Sequence, residues 1–421
     1  MKKGYKGIVL AAMTVASVAA LVACGTKSSG AKFGLITLHD ENSTYDANFI
    51  DGFKKACDAK KVEAKVTTGI NEDNGCYEAA ANLVDSGCKG VFADSFGHEA
   101  FIKKAAEEFP EVNFGHATGT SSKFANISNF HNAFASIYQG RYLAGVVAGM
   151  KLQSMIDAKT VTAGADGNYK LGYIGAYTYA EVISGYTSWY LGVKSIVSNV
   201  TMDVTFTGSW YDEVKEKNGA NTLIDGGAVI VSQHADSMGA PSACEAKGVP
   251  NVSYNGSTAA KCPNTFLVSS RINWQPYFEL MIDNTLAGKS YDTDYCGSFA
   301  DGMVELTDLG TACAPGTAEK VAEVKAALIA GTTHVFDTSK FTVTVVPADA
   351  DGKNGKNTAA TVDADGHLTA YAADIDGDYA PDANVNVVTN GHFDESNASK
   401  YRSAPYFDIQ IDGINLLNVA F

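Results

Sequence analysis

The chain has 421 residues, 46% hydrophobic and 19% charged, with a formal net charge of −15. That length exceeds one ordinary core and fits a pair of lobes. The acidic balance argues against nucleic acid as a partner, which calls for a basic footprint, and it repels anionic lipid, so charge is not what holds the chain to a membrane.

Lys2, Lys3 and Lys6 precede an apolar and small-residue run from Gly7 to Ala23, closing in Leu21-Val22-Ala23-Cys24. A basic region, a short apolar region and a small-residue cleavage site predict a signal peptide over 1–23. The competing reading is a transmembrane anchor, for which the run is marginal against roughly 20 apolar residues. Cysteine after Leu-x-Ala resembles the bacterial lipobox, which implies cleavage before Cys24, lipidation of Cys24 and a tether over 24–31 that holds the chain to the membrane through a lipid anchor. No later segment reads as long and apolar enough to span a bilayer. The other seven cysteines form no CxxC and no zinc spacing. An exported chain permits disulfides; Cys296 with Cys313 is one candidate pair, and the odd number leaves at least one thiol free or paired elsewhere.

From Lys32, short apolar runs alternate with amphipathic ones. KFGLITL, VEAKVTT, GVFADS and VNFGHAT read as strands; NFIDGFKKACDAKK, YEAAANLVDSG and AFIKKAAEEFP read as helices, the last stopped by Pro110. After the helix-like SIYQGRYLAGVVAGMKLQSMI the grammar repeats: strands KLGYIGA, TMDVTFTGS, AVIVSQ and VPNVSYN, separated by VISGYTSWYLGVKSIVS, KEKNGANTLIDGG and MGAPSACEAKG. The succession predicts an α/β fold of two doubly wound parallel-sheet lobes. Residues 32–147 with 275–300 are assigned to the first lobe, and 148–274 with 301–335 to the second. A ligand site belongs in the cleft between them, beyond the carboxyl ends of the strands.

Residues 336–421 differ, being rich in Asp, Asn, Gly and Thr, and read as a β-rich extension associated with the second lobe. Asp374, Asp376 and Asp378 alternate around Gly377 as in a calcium loop, but the terminal glutamate and flanking helices of an EF-hand are missing. Solvated turns are the expectation, with no metal and no cofactor.

Residues 32 to about 291 resemble the basic membrane protein family of ABC-transporter substrate-binding lipoproteins. The resemblance is carried by DANFIDGFKKA, GVFADSFGHEAFIKKAAEEFPEVNFGHATG, IYQGRYLAGVVAGM, LGYIGAYTYAEVISGY, GSWYDEVKEKNGANTLIDGGAVIVSQHADS and SSRINWQPYF, in that order. It implies a type I periplasmic-binding-protein fold with a hinge, a purine nucleoside or purine base as ligand, and partners in an ABC permease and its ATPase. The ATPase is a separate polypeptide, since no GxxxxGK[ST] is present.

The same resemblance points to the loop tips. Tyr45 and Asp46 stand where nucleoside-binding relatives carry phenylalanine and asparagine. An aromatic there can stack on a base, worth roughly 1–3 kcal/mol, and Asp46 either accepts from the ligand or caps the following helix. Asp94, Ser95 and Phe96 end the strand GVFADS. Tyr177 and Glu181 follow KLGYIGA, and Trp210 follows TMDVTFTGS, where a second aromatic completes a sandwich. In SQHADS, His234, Asp236 and Ser237 lie on one extended loop and do not converge as a catalytic triad does; Gln233, His234 and Asp236 read as polar contacts to a ligand edge. Asn255 and Asn273 stand where relatives carry aspartate and lysine, which leaves base against nucleoside open, with Arg271 or Trp274 as substitutes. No catalytic residue is expected. Alternatives are an exported nucleoside hydrolase using Asp40 with Asp46 or Asp94 with Asp236, and a ligand-sensing surface lipoprotein without transport.

Overall fold

The computed structural model describes residues 30–351, 354–395 and 400–421. The leader expected over 1–23, Cys24 and most of the expected tether lie outside the described residues. The first series runs β1 (Lys32–Ile36), α1 (Thr44–Lys60), β2 (Glu63–Thr67), α2 (Asn74–Asp85), β3 (Cys88–Ala93), α3 (Glu99–Glu108), β4 (Asn113–Ala117) and β5 (Phe130–Ala135). Then come α4 (Ile137–Asp157), β6 (Tyr169–Gly175), α5 (Ala180–Lys194), β7 (Val200–Phe206), α6 (Glu213–Asp225), β8 (Ile230–Gln233), α7 (Gly239–Lys247) and β9 (Asn251–Tyr254). The chain continues through β10 (Phe266–Ile272), α8 (Gln275–Ala287), β11 (Asp294–Gly297), β12 (Val304–Leu306) and α9 (Thr317–Ile329).

Two sheets result. The first has the order β11-β5-β4-β3-β1-β2 and is parallel throughout. The second has the order β12-β10-β9-β8-β6-β7 with one further strand beyond β7, and only the β10–β12 pair is antiparallel. Inner strands such as β1 and β8 are buried on both faces and read as largely apolar runs, whereas the edge strand β2 is partly exposed and β7 alternates. The chain passes between the sheets three times, after β5, after β10 and after β11.

The division expected at 147/148 falls inside α4, a continuous helix with little polar surface. Gly145 and Gly192 let α4 and α5 touch backbone to backbone: a Cβ on Gly145 would stand 2.1 Å from the Trp189 carbonyl oxygen, and one on Gly192 2.1 Å from that of Tyr142. α4 therefore packs over its length on the second sheet's layer. The first core centres on Phe49, Phe92, Trp274 and Phe278, with Phe49 and Trp274 stacked at 4.2 Å.

The extension contributes β13 (Phe336–Asp337), β14 (Ala360–Val362), β15 (Leu368–Tyr371), β16 (His392–Phe393) and β17 (Ile414–Leu416). β17 pairs parallel with β7 and completes the second sheet. The extension also reaches the first: the Ser403 N–H donates to Asp294 at 2.7 Å, and Asn132 donates to Ser403 Oγ at 2.9 Å. Asp374, Asp376 and Asp378 close successive turns by accepting from the N–H groups of Gly377, Asp378 and Ala380, and Asp374 also pairs with Arg402 at 3.1 Å.

Cys57, Cys76, Cys88, Cys244, Cys262 and Cys313 are free thiols. The candidate pair is not formed because Cys296 lies in β11 of the first sheet, while the Cys313 thiol donates to the Leu267 carbonyl beside β10 of the second. Among the described residues no helix is long and apolar enough to cross a membrane.

Candidate ligand-binding cleft

The carboxyl ends of β1, β3 and β4 face those of β6, β7, β8 and β9, and the loops at these ends meet. Thr44, opening α1, donates through its N–H and hydroxyl to the Asp236 carbonyl at 3.1 and 3.2 Å. Across the same gap Phe96 lies 5.2 Å from Tyr179, and His39 lies 5.5 Å from Tyr211.

Between these contacts lies a small cleft. One wall carries His39, Tyr45, Asp46, Ser95, Phe96 and Thr118; the other carries Glu181, Trp210, His234, Asp236 and Tyr254. The free volume is about 20 Å³, room for roughly one water. A ring-sized ligand therefore enters only as the lobes part or the aromatics swing. The cleft is continuous, through Phe96, Thr118 and Glu181, with a chamber of about 580 Å³ whose far wall is the extension, including Tyr371, Tyr379, Tyr406 and Asp408.

On the first wall, Ser43 caps α1 and accepts from the Asp46 N–H, while Asp46 accepts from Ser43 Oγ at 2.5 Å and from the His39 N–H at 2.7 Å. Burial alone would raise the Asp46 carboxyl; the hydrogen bonds from His39 and Ser43 outweigh it and hold the group below its ordinary range. Asp46 thus serves the helix cap and lines the cleft at once. The Tyr45 hydroxyl donates to the Asp94 carbonyl at 2.7 Å, which seats its ring at the strand end. Asp94 accepts from the Leu38 N–H at 3.2 Å, and burial, with Asp46 close by, pushes its carboxyl well above the usual range. Ser95 is spent on Glu72, at 2.6 Å.

The second wall is organised by a residue that the loop-tip reading passes over. Arg141 in α4 is buried; it donates to the Gln233 carbonyl at 2.9 Å and to His234 Nδ1 at 2.8 Å, and its guanidinium lies 3.3 Å over the Tyr254 ring. A guanidinium only donates, so Nδ1 is the acceptor and the proton of His234 sits on Nε2, 3.5 Å from Glu181. Burial, then the charge of Arg141, lowers the His234 pKa to about 4, so the ring is neutral at physiological pH. Asp236 moves the other way: burial and the neighbouring carboxylates push it well above its ordinary value. The Tyr177 ring stacks on Tyr179 and stands edge-on to Trp210 at 5.1 Å, backing the wall rather than lining it.

Four buried polar atoms at this junction have no protein partner: Asp94 Oδ2, Gln233 Oε1, Asp236 Oδ1 and Asn255 Nδ2. Orphaned buried polar atoms are uncommon in folded proteins. Here they belong to strand-end residues, and Asn255 is held in the left-handed region at φ 63°. Asn273 and Trp274 are placed elsewhere. Asn273 joins two of the inter-sheet crossings, its N–H donating to Met303 O at 2.7 Å and its amide to Gly302 O at 3.2 Å. Trp274 is core, stacked on Phe49, and Arg271 pairs with Glu305 at 2.5 Å. Besides Arg141, the loop-tip reading omits His39, Thr118 and Tyr254. A lone arginine in the otherwise apolar IYQGRYLAGVVAGM is the signal for a buried partner, and Tyr254 stands next to the singled-out Asn255.

The sequence model for the Bmp family, described as ABC transporter substrate-binding protein PnrA-like, matches residues 36–328. The chain belongs to this family. A purine-binding protein of Brucella abortus is 29% identical over 62% of this chain and 69% of its own length. An ABC transporter nucleoside-binding protein of Lactococcus lactis subsp. cremoris is 26% identical over 59% and 70%. A Haloferax volcanii protein that carries a provisional ABC-transporter glucose-binding name is 25% identical over 60% of each chain. Among solved structures, a solute-binding protein of an ABC transporter system from Conexibacter woesei superposes with a TM-score of 0.58 at 19% identity, covering 72% of this chain and 98% of that one. The fold is therefore the type I periplasmic-binding-protein fold. The Bmp family is one of extracytoplasmic substrate-binding proteins rather than enzymes, working with a small-molecule ligand, a permease and an ATPase. The matched region ends before β13, so the extension lies beyond it.

Proposed function

We propose that this chain is a lipid-anchored receptor of an ABC importer that takes a purine nucleoside or purine base into the cleft and delivers it to a separate permease and ATPase. One observation carries the reading: aromatic rings from both walls, Tyr45 and Phe96 against Trp210 and Tyr254, enclose a space that is also lined by Asp236, whose Oδ1 is buried without a partner. Flat faces with a few polar edges suit a heteroaromatic ring, because stacking holds the faces while the edge atoms select the ligand. The names of the Brucella and Lactococcus relatives point to the same ligand class.

The protonation states fit binding rather than hydrolysis. Asp236, pushed up by burial, lines the cleft and is suited to donate to a ring nitrogen or carbonyl. Asp46 has both oxygens engaged by the chain itself. Ligand binding stabilises the closed arrangement of the loop tips, in which Thr44 meets Asp236, and the permease reads that closed form. The test is a pair of substitutions, Tyr45→Ala and Trp210→Ala, each expected to weaken purine binding by about 5- to 150-fold, the equivalent of roughly 1–3 kcal/mol of lost stacking. Unchanged affinity in both refutes the sandwich.

A further inference from the structure

Away from the cleft, the short antiparallel pair β13–β16 brings together residues that no sequence spacing links. Phe336 lies opposite Phe393 and Asp337 opposite His392, and His334, two residues before β13, folds onto His392. The two imidazoles stack with centroids 3.3 Å apart and planes within 18°. Asp394 joins them, with Oδ1 3.4 Å from His334 Nδ1 and Oδ2 4.0 Å from His392 Nε2. One ligand-type atom from each residue lies within 4.8 Å of the other two. The side chains keep 26%, 21% and 47% of their surface exposed, so an ion and water reach them.

The hydrogen bonding of His392 sets its tautomer. Its Nδ1 lies 3.3 Å from the Asn390 carbonyl; a carbonyl only accepts, so Nδ1 carries the proton. Nε2 of the neutral ring is then a lone pair aimed at a carboxylate, and two acceptors face each other. A second proton on His392 would resolve this by placing an imidazolium face to face with another imidazole. A cation between the three groups resolves it without that cost, taking the Nε2 lone pair of His392 and the carboxylate, and replacing the proton that His334 Nδ1 donates to Asp394 as that imidazole shifts its N–H to Nε2. The Nδ1–H to carbonyl bond is the outer-shell support that metal-bound histidines make. Asp394 is also held in place, since its carbonyl accepts from the Tyr406 hydroxyl at 2.9 Å, and the next residue, Glu395, is buried and accepts from the Phe407 N–H at 2.8 Å.

We propose that His334, His392 and Asp394 form a binding site for a divalent transition metal of the zinc type, with water in a fourth position. Two imidazoles and a carboxylate suit zinc and its neighbours, whereas calcium and magnesium prefer oxygen ligands alone. Bound there, the metal ties residue 334, just beyond the family-matched region, to β16 within the extension.

The experiment is titration of the chelator-treated full chain with zinc chloride against a chromophoric zinc indicator, with cobalt(II) as a spectroscopic probe. The site gives one zinc per chain and the intense visible bands of four-coordinate cobalt. His334→Ala and His392→Ala each weaken zinc binding by at least ~10-fold, while Asp376→Asn, in the acidic turns, leaves it unchanged. Chelation lowers the thermal midpoint of the wild type and not that of the His334→Ala/His392→Ala double variant. Both histidines are partly exposed, so circular dichroism of the variants should match the wild type. No zinc or cobalt uptake by the wild type, or wild-type affinity in the folded double variant, overturns the proposal.

Discussion

Arg141→Met tests the role given to the buried arginine behind the cleft. Methionine keeps the stem within α4 and removes two charge-assisted hydrogen bonds, to Gln233 O and His234 Nδ1, together with the guanidinium over Tyr254. Such bonds contribute ~1.5–3 kcal/mol each and the ring contact ~0.5–2 kcal/mol. Relief of the desolvation of a buried charge offsets several kcal/mol of this, but two acceptors are left buried without donors. A net destabilisation of about 2–4 kcal/mol is expected. In urea, with a slope of roughly 2–3 kcal/mol per M, the unfolding midpoint falls by about 0.7–2 M. A second readout comes from His234, held at about 4 by burial and then by Arg141. Without the arginine the pull of Glu181 is opposed by burial alone, so the ring titrates at higher pH, which nitrogen-edited NMR of the imidazole follows directly. A variant with the wild-type urea midpoint and His234 still titrating near 4 refutes the reasoning.

Burial raises the Glu395 carboxyl to about 8, against an ordinary value of 4.5. The folded state therefore holds a proton that the unfolded state releases, and this contribution to stability is full below about pH 4 and fades as pH rises toward about 8, by at most ~1.4 kcal/mol per pH unit. Glu395→Gln, which keeps an acceptor for the Phe407 N–H, removes that slope, and the variant's urea midpoint should gain on the wild type between about pH 5 and pH 8.5; parallel curves contradict the assignment. With Cys57, Cys76, Cys88, Cys244, Cys262 and Cys313 free, dithiothreitol should leave the thermal midpoint unmoved, and native thiol labelling should reach the half-buried Cys313 before the five buried ones. A drop in midpoint on reduction would contradict the free-thiol assignment.

The alternating fold is legible in the sequence because strands covered on both faces must be apolar runs, as KFGLITL and AVIVSQ are, and the helices between them need only one apolar stripe. β5 is not legible in the same way: His131 and Asn132 interrupt its run, and their burial depends on partners at Asp292, Asp294 and Ser403, distant in sequence. Loop-tip residues such as Tyr45, Phe96 and Trp210 can be read as cleft candidates since they follow strand ends. Arg141 cannot, because its partners lie more than 90 residues away in the chain. Trp274 illustrates the opposite error: an aromatic just past a strand end looks like a cleft residue, but it sits on a crossing between the sheets, where its ring is needed against Phe49. The extension's strands are two to four residues long, too short for periodicity to show, and its hydrogen bonds to the first sheet come through single residues such as Ser403.

The most direct measurement is calorimetric titration of the mature chain, stripped of co-purified ligand by unfolding and refolding, against adenosine, guanosine, inosine, adenine, uridine and glucose. Saturable binding of a purine, abolished or strongly weakened in Trp210→Ala, is the expected result. Silence with every purine, or glucose binding in their place, contradicts the purine assignment.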